Sequence, residues 1–274
     1  MFPVLVSLGF FQLRTLTIFS ILAFFTMAFI FWRKGREEHY DEYQLFDSFL
    51  LSTFFGVLTG RVVFILFNAS RFIQEPLSIF NIIGAPGLNV MAALAGAGIF
   101  LYRYAKNHKW DTYEVLDYWT LAISFGSFIL WLGLFFDGTG FGYPTNLPLG
   151  VTFPTVFEPH HPVQLYFALG YFLLFWYLSW ADFHYRTFSW YRGSKNTAQT
   201  GFLTSFFVII SGLISFILSF IRPSQVSLGG LALDIPLYAV ITIAGVLLLF
   251  GRSGRSLRSS KPPRKPPALD RLQV

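Results

Sequence analysis

Long apolar runs separated by short polar segments dominate the hydropathy pattern of this chain. Seven runs are long enough to form membrane helices, at residues 15–32, 46–67, 83–102, 115–136, 162–180, 200–221 and 235–250. A helix of about 20 apolar residues crosses the hydrocarbon core of a bilayer, and backbone groups in lipid must be paired within the segment. The pattern therefore predicts an all-α, polytopic integral membrane protein with about seven transmembrane helices, which form one membrane domain over residues 1–251.

The composition supports a membrane protein. The chain is 54% hydrophobic and 12% charged, whereas a soluble domain carries about 25% charged residues. The absence of cysteine excludes disulfides, thiolate metal sites and a cysteine nucleophile within this chain, and we expect no cofactor. A net charge of +6 would suggest a nucleic-acid partner for a soluble protein, but we expect a membrane and no nucleic acid here because of where the basic residues lie.

Basic residues cluster on one side of the predicted membrane. Sixteen of the 20 Lys and Arg residues follow spans 1, 3, 5 and 7. Such residues favour cytoplasmic loops, so we predict an outside N-terminus and a cytoplasmic C-terminus. The first run ends in Trp32-Arg33-Lys34 without a small-residue cleavage site, which predicts a retained span rather than a signal peptide. Residues 252–274 are basic and rich in Ser and Pro, and we predict a disordered tail near anionic headgroups.

Two arginines lie within or at the outer ends of predicted spans. Arg61 interrupts the second apolar run, and Arg222 follows the sixth. A charge inside a bilayer is costly, so we expect Arg61 to face protein or water, or to reach the outer headgroups along its apolar stem. Because a guanidinium can fork onto phosphate oxygens, both arginines are candidate phospholipid-binding residues.

Polar residues open the fifth span, in the stretch EPHHPVQLY at 158–166. His161 and Gln164 are three residues apart and share a helix face, and Tyr166 follows. These residues form either a functional rim or an interfacial belt of polar and aromatic anchors. In the functional interpretation Gln164 and Tyr166 contact phospholipid, and His161 is a candidate catalytic residue. The adjacent histidines 160 and 161 point to different faces, so we predict no metal site.

Asp137 closes the fourth span in the sequence DGTG at 137–140. An aspartate in such a turn usually bonds to nearby backbone, and the alternative is a second candidate catalytic residue. Two further patterns predict helix contacts. Asn89 is expected to cap a helix start, and small or hydroxyl side chains at helical spacing are expected to let neighbouring helices approach or bond: Ala92, Ala93, Gly96 and Ala97 in span 3, and Ser211, Ser215 and Ser219 in span 6.

Taken together, these stretches resemble the prolipoprotein diacylglyceryl transferase family. HPVQLY from His161 resembles the family's His-Pro-x-Gln-Leu-Tyr element, and TGRVV contains its Gly-Arg at Arg61. DYWTLAISFGSFILWLGLFFDG is similar, without a gap, to the family's signature span. GLISFILSFIR, which ends at Arg222, resembles Gly-Leu-x-Arg-Phe-x-x-Glu-Phe-x-Arg. The resemblance covers nearly the whole chain.

The resemblance implies an enzyme of lipoprotein biosynthesis in the bacterial inner membrane. The family transfers the diacylglyceryl group of phosphatidylglycerol to the lipobox cysteine thiol of a prolipoprotein and releases glycerol 1-phosphate. The implied partners are phosphatidylglycerol or another anionic phospholipid, and prolipoprotein signal peptides. Because the reacting thiol belongs to the substrate, an enzyme without cysteine fits this reaction.

Several polar positions of the family are substituted in this chain. Where the family carries a histidine, two arginines and two glutamates, the chain carries Met91, Trp131, Ser215, Thr139 and Ser219. Two asparagine positions hold Leu134 and Asp137, and a functional tyrosine position holds Leu16. Losing a group that stabilises developing charge costs about 2.7–4 kcal/mol in comparable sites, so the substitutions bear on whether the chain catalyses transfer.

Two hypotheses follow from these residues. The chain is a divergent, working transferase that relies on Arg61, Arg222, His161 and Asp137, or it is a non-catalytic relative that binds phospholipid or lipoprotein signal peptides. The substituted positions favour the second hypothesis for mechanism, whereas the family resemblance does not depend on the choice. A small-solute transporter has less support, because the spans lack paired ionisable groups beyond Arg61.

Overall fold

A computed structural model describes residues 3–8, 11–79, 87–186, 199–228 and 231–252. Within these ranges the chain is mainly helical, with α1 Thr15–Glu37, α2 Glu42–Phe67, α3 Ala69–Gln74, α4 Val90–Asn107, α5 Thr112–Asp137, α6 Val163–Ala181, α7 Phe202–Leu218 and α8 Asp234–Arg252. A 3-10 turn covers Pro76–Ile79, and a π-helical turn at Asp182–Arg186 extends α6. The chain is thus built from helices, as its hydropathy predicts.

Three short antiparallel hairpins supplement the helices. β1 Val4–Leu8 pairs with β2 Phe11–Arg14, β3 Val151–Thr152 with β4 Pro159–His160, and β5 Ser227–Leu228 with β6 Leu231–Ala232. The hydropathy pattern did not predict these strands. They precede α1 or connect two helices, so they do not change the all-α class of the membrane domain.

Five of the described helices are long and apolar enough to cross a bilayer: Thr15–Glu37, Glu42–Phe67, Thr112–Asp137, Val163–Tyr185 and Asp234–Arg252. Phe202–Leu218 is apolar but shorter. The third predicted span overlaps α4, which begins later than predicted and is not among the five. A polytopic, helical membrane protein is therefore confirmed, whereas the count of seven and the orientation stay predictions. The predicted tail after residue 252 and the first four residues of the third predicted span, 83–86, lie outside the described residues.

Close packing of α2 against α4 confirms the predicted role of the small residues. A Cβ added to Gly56 would lie 2.8 Å from the Ala93 carbonyl oxygen and 2.8 Å from the Ala97 Cβ. Only small side chains permit such an approach. Asn89 caps α4 as predicted, because its side-chain oxygen accepts a hydrogen bond from the Ala92 N–H at 2.9 Å.

α5 is the central helix of the bundle. It packs against α1, α4, α6 and α7, and the eight consecutive residues 117–124 are all buried. A helix surrounded by other helices is expected to carry apolar residues on every face, as α5 does. α5 therefore presents one terminus to each end of the bundle.

The bundle has two distinct polar ends. The hairpin end contains the three hairpins, the C-terminal ends of α5 and α7, and the N-terminal ends of α1, α6 and α8. The opposite end contains the other termini of these helices, and Lys34 on α1 pairs there with Asp182 after α6 at 2.7 Å. The distribution of Lys and Arg predicts that the hairpin end faces outward and the opposite end faces the cytoplasm.

Candidate functional site

Asp137 is the last residue of α5, because Gly138 adopts a left-handed conformation with φ of 77°. The N–H groups of Gly138 and Thr139 both donate to the Leu134 carbonyl oxygen, at 3.0 and 3.2 Å. Glycine is favoured at this C-terminal position, since it tolerates positive φ. The turn thus fixes a carboxylate at the hairpin end of the most buried helix.

The carboxylate of Asp137 is held by side chains. Its Oδ2 accepts from Arg14 Nη2 at 3.2 Å and from Thr139 Oγ1 at 3.2 Å, while its Oδ1 has no hydrogen-bond partner among the described residues. The Asp137 side chain is 1% exposed, whereas that of Arg14 is 57% exposed. The described contacts therefore do not support our expectation of a backbone-bonding aspartate. Asp137 forms an ion pair with one oxygen unused.

Gln164 joins the same cluster through Thr139. Its Nε2 donates to the Thr139 carbonyl oxygen at 2.8 Å, and its Oε1 is buried with no partner in the described part of the chain. Gln164 is fully buried at the start of α6. The structure thus brings Gln164 and Asp137 together through a single residue, although they are far apart in sequence.

His161 and Tyr166 lie next to this cluster. The His161 N–H donates to the Tyr143 carbonyl oxygen at 3.0 Å, and the His161 carbonyl oxygen accepts from Gly142 at 2.9 Å. The His161 Nδ1 is buried and lacks a hydrogen-bond partner within the described ranges. Its ring centroid lies 6.3 Å from that of Tyr166. Backbone bonds therefore fix this histidine while its ring nitrogen stays available.

Arg222 is buried on aromatic rings at the same end. Its Nη2 donates to the Tyr238 hydroxyl at 2.8 Å, and its guanidinium carbon lies 4.9 Å from the Phe167 ring centroid. The preceding carbonyl, that of Ile221, accepts from the Tyr143 N–H at 2.9 Å, which connects Arg222 to the loop that carries His161. A guanidinium over aromatic faces is electrostatically stabilised, so the positive charge is tolerated in an apolar setting.

Arg61 lies in a different neighbourhood. Its guanidinium donates to the carbonyl oxygens of Gly87, Ser78 and Ile79, at 3.0, 3.4 and 3.3 Å. It is 9% exposed, and its guanidinium carbon also lies 5.5 Å from the Phe72 ring centroid. Arg61 therefore faces protein rather than extending to the headgroups. Its role as a phosphate ligand stays a prediction.

The substituted family positions carry neutral side chains with local partners. Trp131 stacks on Phe167, with ring centroids 4.1 Å apart. The Ser219 hydroxyl donates to the Phe216 carbonyl oxygen at 2.6 Å, and that of Ser211 donates to the Val208 carbonyl oxygen at 3.3 Å. These two serines bond within α7, so our prediction that their hydroxyls join α7 to a neighbouring helix is wrong for both.

Sequence reasoning missed two members of the cluster, Arg14 and Thr139. Arg14 directly precedes the first apolar run, and a basic residue there on the predicted outer side was the available signal. Thr139 was noted only as a substituted position. Its carbonyl and hydroxyl, which connect Gln164 to Asp137, give no sequence signal.

Comparison with known proteins gives consistent matches over this architecture. Residues 3–251 match the family model described as prolipoprotein diacylglyceryl transferase. The chain is 28% identical over 195 residues to the phosphatidylglycerol–prolipoprotein diacylglyceryl transferase of Clostridium tetani, which covers 69% of this chain and 73% of that protein. It is 27% identical over 272 residues to the protein of the same name from Zymomonas mobilis, at 93% and 92% coverage, and 28% identical over 277 residues to that from Aeromonas salmonicida, at 93% and 95% coverage. Each of these three relatives bears the name of a transferase.

Proposed function

Because the chain belongs to the prolipoprotein diacylglyceryl transferase family, we propose that it transfers the diacylglyceryl group of phosphatidylglycerol to the lipobox cysteine of prolipoproteins. The observation that carries this proposal is the family match over residues 3–251, with relatives aligned across more than nine-tenths of both chains. The reaction takes place at the outer face of a bacterial inner membrane, where the hairpin end is predicted to lie. We expect no cofactor to take part.

The transfer joins sulfur to carbon and breaks a phosphate ester. The cysteine thiolate attacks the diacylglycerol carbon that carries the phosphate, the C–O bond breaks, and glycerol 1-phosphate leaves with the bonding electrons. A free thiol has a pKa near 8.5 and reacts as the thiolate, so a base close to the sulfur speeds the step. His161 is the proposed proton acceptor, because its buried Nδ1 has no partner among the described residues.

The leaving phosphate needs positive charge beside it. Arg222 is the proposed cation, since it lies at the hairpin end near the loop that carries His161. Arginine has five N–H donors, and the hydrogen bond to Tyr238 uses one of them. Arg61 is a second cation on the same side of the predicted membrane. Its bonds to carbonyl oxygens suit a role in shaping the segment after α2 better than a direct phosphate contact.

A second candidate function is phospholipid or signal-peptide binding without transfer. The specific observation is the stack of Trp131 on Phe167 beside Arg222. The resemblance implies an arginine at position 131, where this chain has a neutral indole instead of a second cation. Stabilisation of developing phosphate charge by one guanidinium instead of two would slow transfer while leaving a lipid site in place.

A mass-resolved transfer assay separates the two candidates. We would place the purified protein in nanodiscs with phosphatidylglycerol, add a lipobox peptide, and measure the mass gain of one diacylglyceryl group on the peptide thiol. We expect product with the cysteine peptide and none with its Cys→Ser form. Arg222→Gln should lower the rate about a hundredfold, as expected for losing one charge-stabilising donor.

Arg252→Gln is the matched control for this assay. Arg252 also covers an aromatic ring, with its guanidinium carbon 4.1 Å from the Tyr113 centroid, but it lies at the opposite end. Its substitution should leave the transfer rate unchanged. Binding of phosphatidylglycerol or of the lipobox peptide without product supports the second candidate. The absence of product and of both kinds of binding contradicts both functions.

A further inference from the structure

Three buried atoms around Asp137 at the hairpin end have no hydrogen-bond partner among the described residues: His161 Nδ1, Asp137 Oδ1 and Gln164 Oε1. The last two are acceptor oxygens that are connected through Thr139. Asp137 is 3% exposed and Gln164 is fully buried. A buried polar atom without a partner costs about 1–3 kcal/mol, and most such groups in folded proteins are paired. Two of them, linked through Thr139, therefore point to a ligand that supplies donors.

The other polar atom of each side chain, Asp137 Oδ2 or Gln164 Nε2, already makes hydrogen bonds, and these bonds orient the remaining acceptor atom. Arg14 and Thr139 bind Asp137 Oδ2, each at 3.2 Å. Gln164 Nε2 donates to the Thr139 carbonyl oxygen at 2.8 Å, so the amide orientation is fixed with Oε1 as the remaining acceptor. The pair presents acceptors only.

An acceptor pair that contains a carboxylate binds donor groups and disfavours phosphate. Phosphate oxygens carry negative charge, which the Asp137 carboxylate would repel, so the phosphate belongs near a cation such as Arg222. A cysteine thiol and a hydroxyl are both possible donors. A thiol offers one donor, whereas the terminal glycerol of phosphatidylglycerol offers two adjacent hydroxyls, which match two acceptors.

We propose that Asp137 Oδ1 and Gln164 Oε1 accept hydrogen bonds from the two hydroxyls of the phosphatidylglycerol headgroup and thereby select this lipid over other anionic phospholipids. This inference rests on the proposed function, because it takes phosphatidylglycerol as the lipid substrate. Asp137 and Gln164 are then specificity-determining residues for the headgroup. Arg14, the exposed member of the ion pair, holds the other carboxylate oxygen and thereby orients Oδ1.

The test compares two lipids that differ only in headgroup hydroxyls. Phosphatidylmethanol has the same phosphodiester charge as phosphatidylglycerol but carries a methyl group in place of glycerol. Equal amounts of the two lipids with identical acyl chains compete for the detergent-purified full chain, and native mass spectrometry counts the bound lipid. We expect the wild-type protein to retain phosphatidylglycerol at least about tenfold better, the effect of a hydrogen bond to a charged acceptor.

Asp137→Leu and Gln164→Met each remove one acceptor at similar side-chain size. Both should bring the retention ratio towards one. Arg14 is mostly exposed, so water can solvate it after Asp137→Leu, and an apparent Tm close to the wild-type value checks the fold of each variant. Glu158→Gln is the control, because it removes an exposed carboxylate at the same end and should leave the ratio unchanged.

Equal retention of the two lipids by the wild type overturns the proposal, as does an unchanged preference in both folded variants. If the wild type instead binds a lipobox peptide more tightly than its Cys→Ala form, and both variants lose only that difference, the acceptors bind the thiol and the headgroup assignment is wrong. A clear headgroup preference without any thioether product supports this inference and contradicts the proposed transfer activity.

Discussion

The two ends of α5 carry buried aspartates with different surroundings. At the opposite end, Asp117 accepts from the Gly201 N–H at 2.8 Å, from the Thr204 N–H at 2.8 Å and from the Thr204 hydroxyl at 2.6 Å, so both of its oxygens are bound. At the hairpin end, Asp137 has one bound oxygen, and its other oxygen has no partner among the described residues. One helix thus uses the same residue type to join helices at one end and to present an acceptor at the other.

The difference separates structural from functional polar groups. A satisfied buried network rigidifies the packing around it, and at the opposite end Asp117 anchors the start of α7 to α5. A partly satisfied group instead costs stability until a ligand completes it. Substitution of Asp117 should therefore change stability with little effect on lipid selection, whereas substitution of Asp137 should do the reverse.

Asp117→Ala is expected to give the largest effect. It removes hydrogen bonds to a buried carboxylate, each worth about 1.5–3 kcal/mol, and leaves buried donors unpaired. We expect a loss of at least about 3 kcal/mol, which lowers the Tm by roughly 6–12 °C for a chain of this size. Thermal unfolding in detergent at a fixed scan rate measures it, with Asp137→Ala as the comparison.

Asp137→Ala should lose only about 1 kcal/mol, because its ion-pair partner Arg14 is mostly exposed. If the two variants lose equal stability, the proposed division between the ends of α5 is wrong. The folded Asp117→Ala protein should keep its preference for phosphatidylglycerol over phosphatidylmethanol.

Gly142→Ala is expected to give the next largest effect, now at the hairpin end. A Cβ at this position would lie 2.4 Å from the Ile221 carbonyl oxygen and 2.6 Å from Val163 Cγ2. Backbone must therefore move beside Arg222, at a cost of about 1–3 kcal/mol for overpacking. We expect weaker phosphatidylglycerol binding together with a lower Tm.

Gly98→Ala is the matched control, since its nearest contact would be Trp119 at 3.5 Å, an ordinary van der Waals distance. Alanine in the middle of a helix stabilises by about 0.5–1 kcal/mol relative to glycine. Unchanged lipid binding in Gly142→Ala would mean that the loop geometry around Arg222 does not control the site.

Much of the fold follows from hydropathy alone. Apolar runs predicted the long helices, because a backbone in lipid has few alternatives to helix. The start of α4 could not be placed by hydropathy, since the cap at Asn89 and not the apolar run sets it. The pairing of Arg14 with Asp137 was also beyond prediction. These residues are 123 positions apart, and only the packing of α1 on α5 brings them together.

The sequence predicted which residues belong to the candidate site but not how they are arranged or bonded. The resemblance gave His161, Gln164 and Arg222 from short motifs, and the structure places all three at the hairpin end. The resemblance could not predict the acceptor pair, because the pair depends on which polar atom of Asp137 and of Gln164 is already hydrogen-bonded. The Thr139 hydroxyl donates to Asp137 Oδ2 and its carbonyl oxygen accepts from Gln164 Nε2. No sequence pattern predicts either contact.

Tyr40→Phe tests the opposite end with a smaller expected effect. The Tyr40 hydroxyl donates to Glu114 Oε2 at 2.6 Å. Burial raises the pKa of Tyr40 above its ordinary value of about 10, and the hydrogen bond to the Glu114 carboxylate raises it further. The phenol is therefore protonated at neutral pH, and its removal should cost about 1 kcal/mol.

The pH dependence of this cost has a defined sign. Because the folded pKa is raised, the stabilising contribution is fully present below the ordinary tyrosine pKa and is lost as the pH rises through the folded value. The Tm difference between wild type and Tyr40→Phe should stay constant from pH 7 to about pH 9. A Tm difference that shrinks within that range would contradict a raised pKa for Tyr40. The transfer rate of Tyr40→Phe should equal that of the wild type.

Ser219→Ala should give the smallest effect and the finest test of the comparison. The Ser219 hydroxyl donates to its own helix at Phe216, so its loss should change stability by less than about 0.5 kcal/mol and leave transfer unchanged. Ser205 at the opposite end also donates within α7, to the Gly201 carbonyl oxygen at 2.6 Å, but it is fully buried beside the Asp117 network. Ser205→Ala should therefore cost about 1 kcal/mol. A large loss of transfer in Ser219→Ala, with normal lipid binding, would show that this hydroxyl leaves its helix carbonyl during the reaction, and the acceptor pair at Asp137 and Gln164 would then be only part of the functional polar surface.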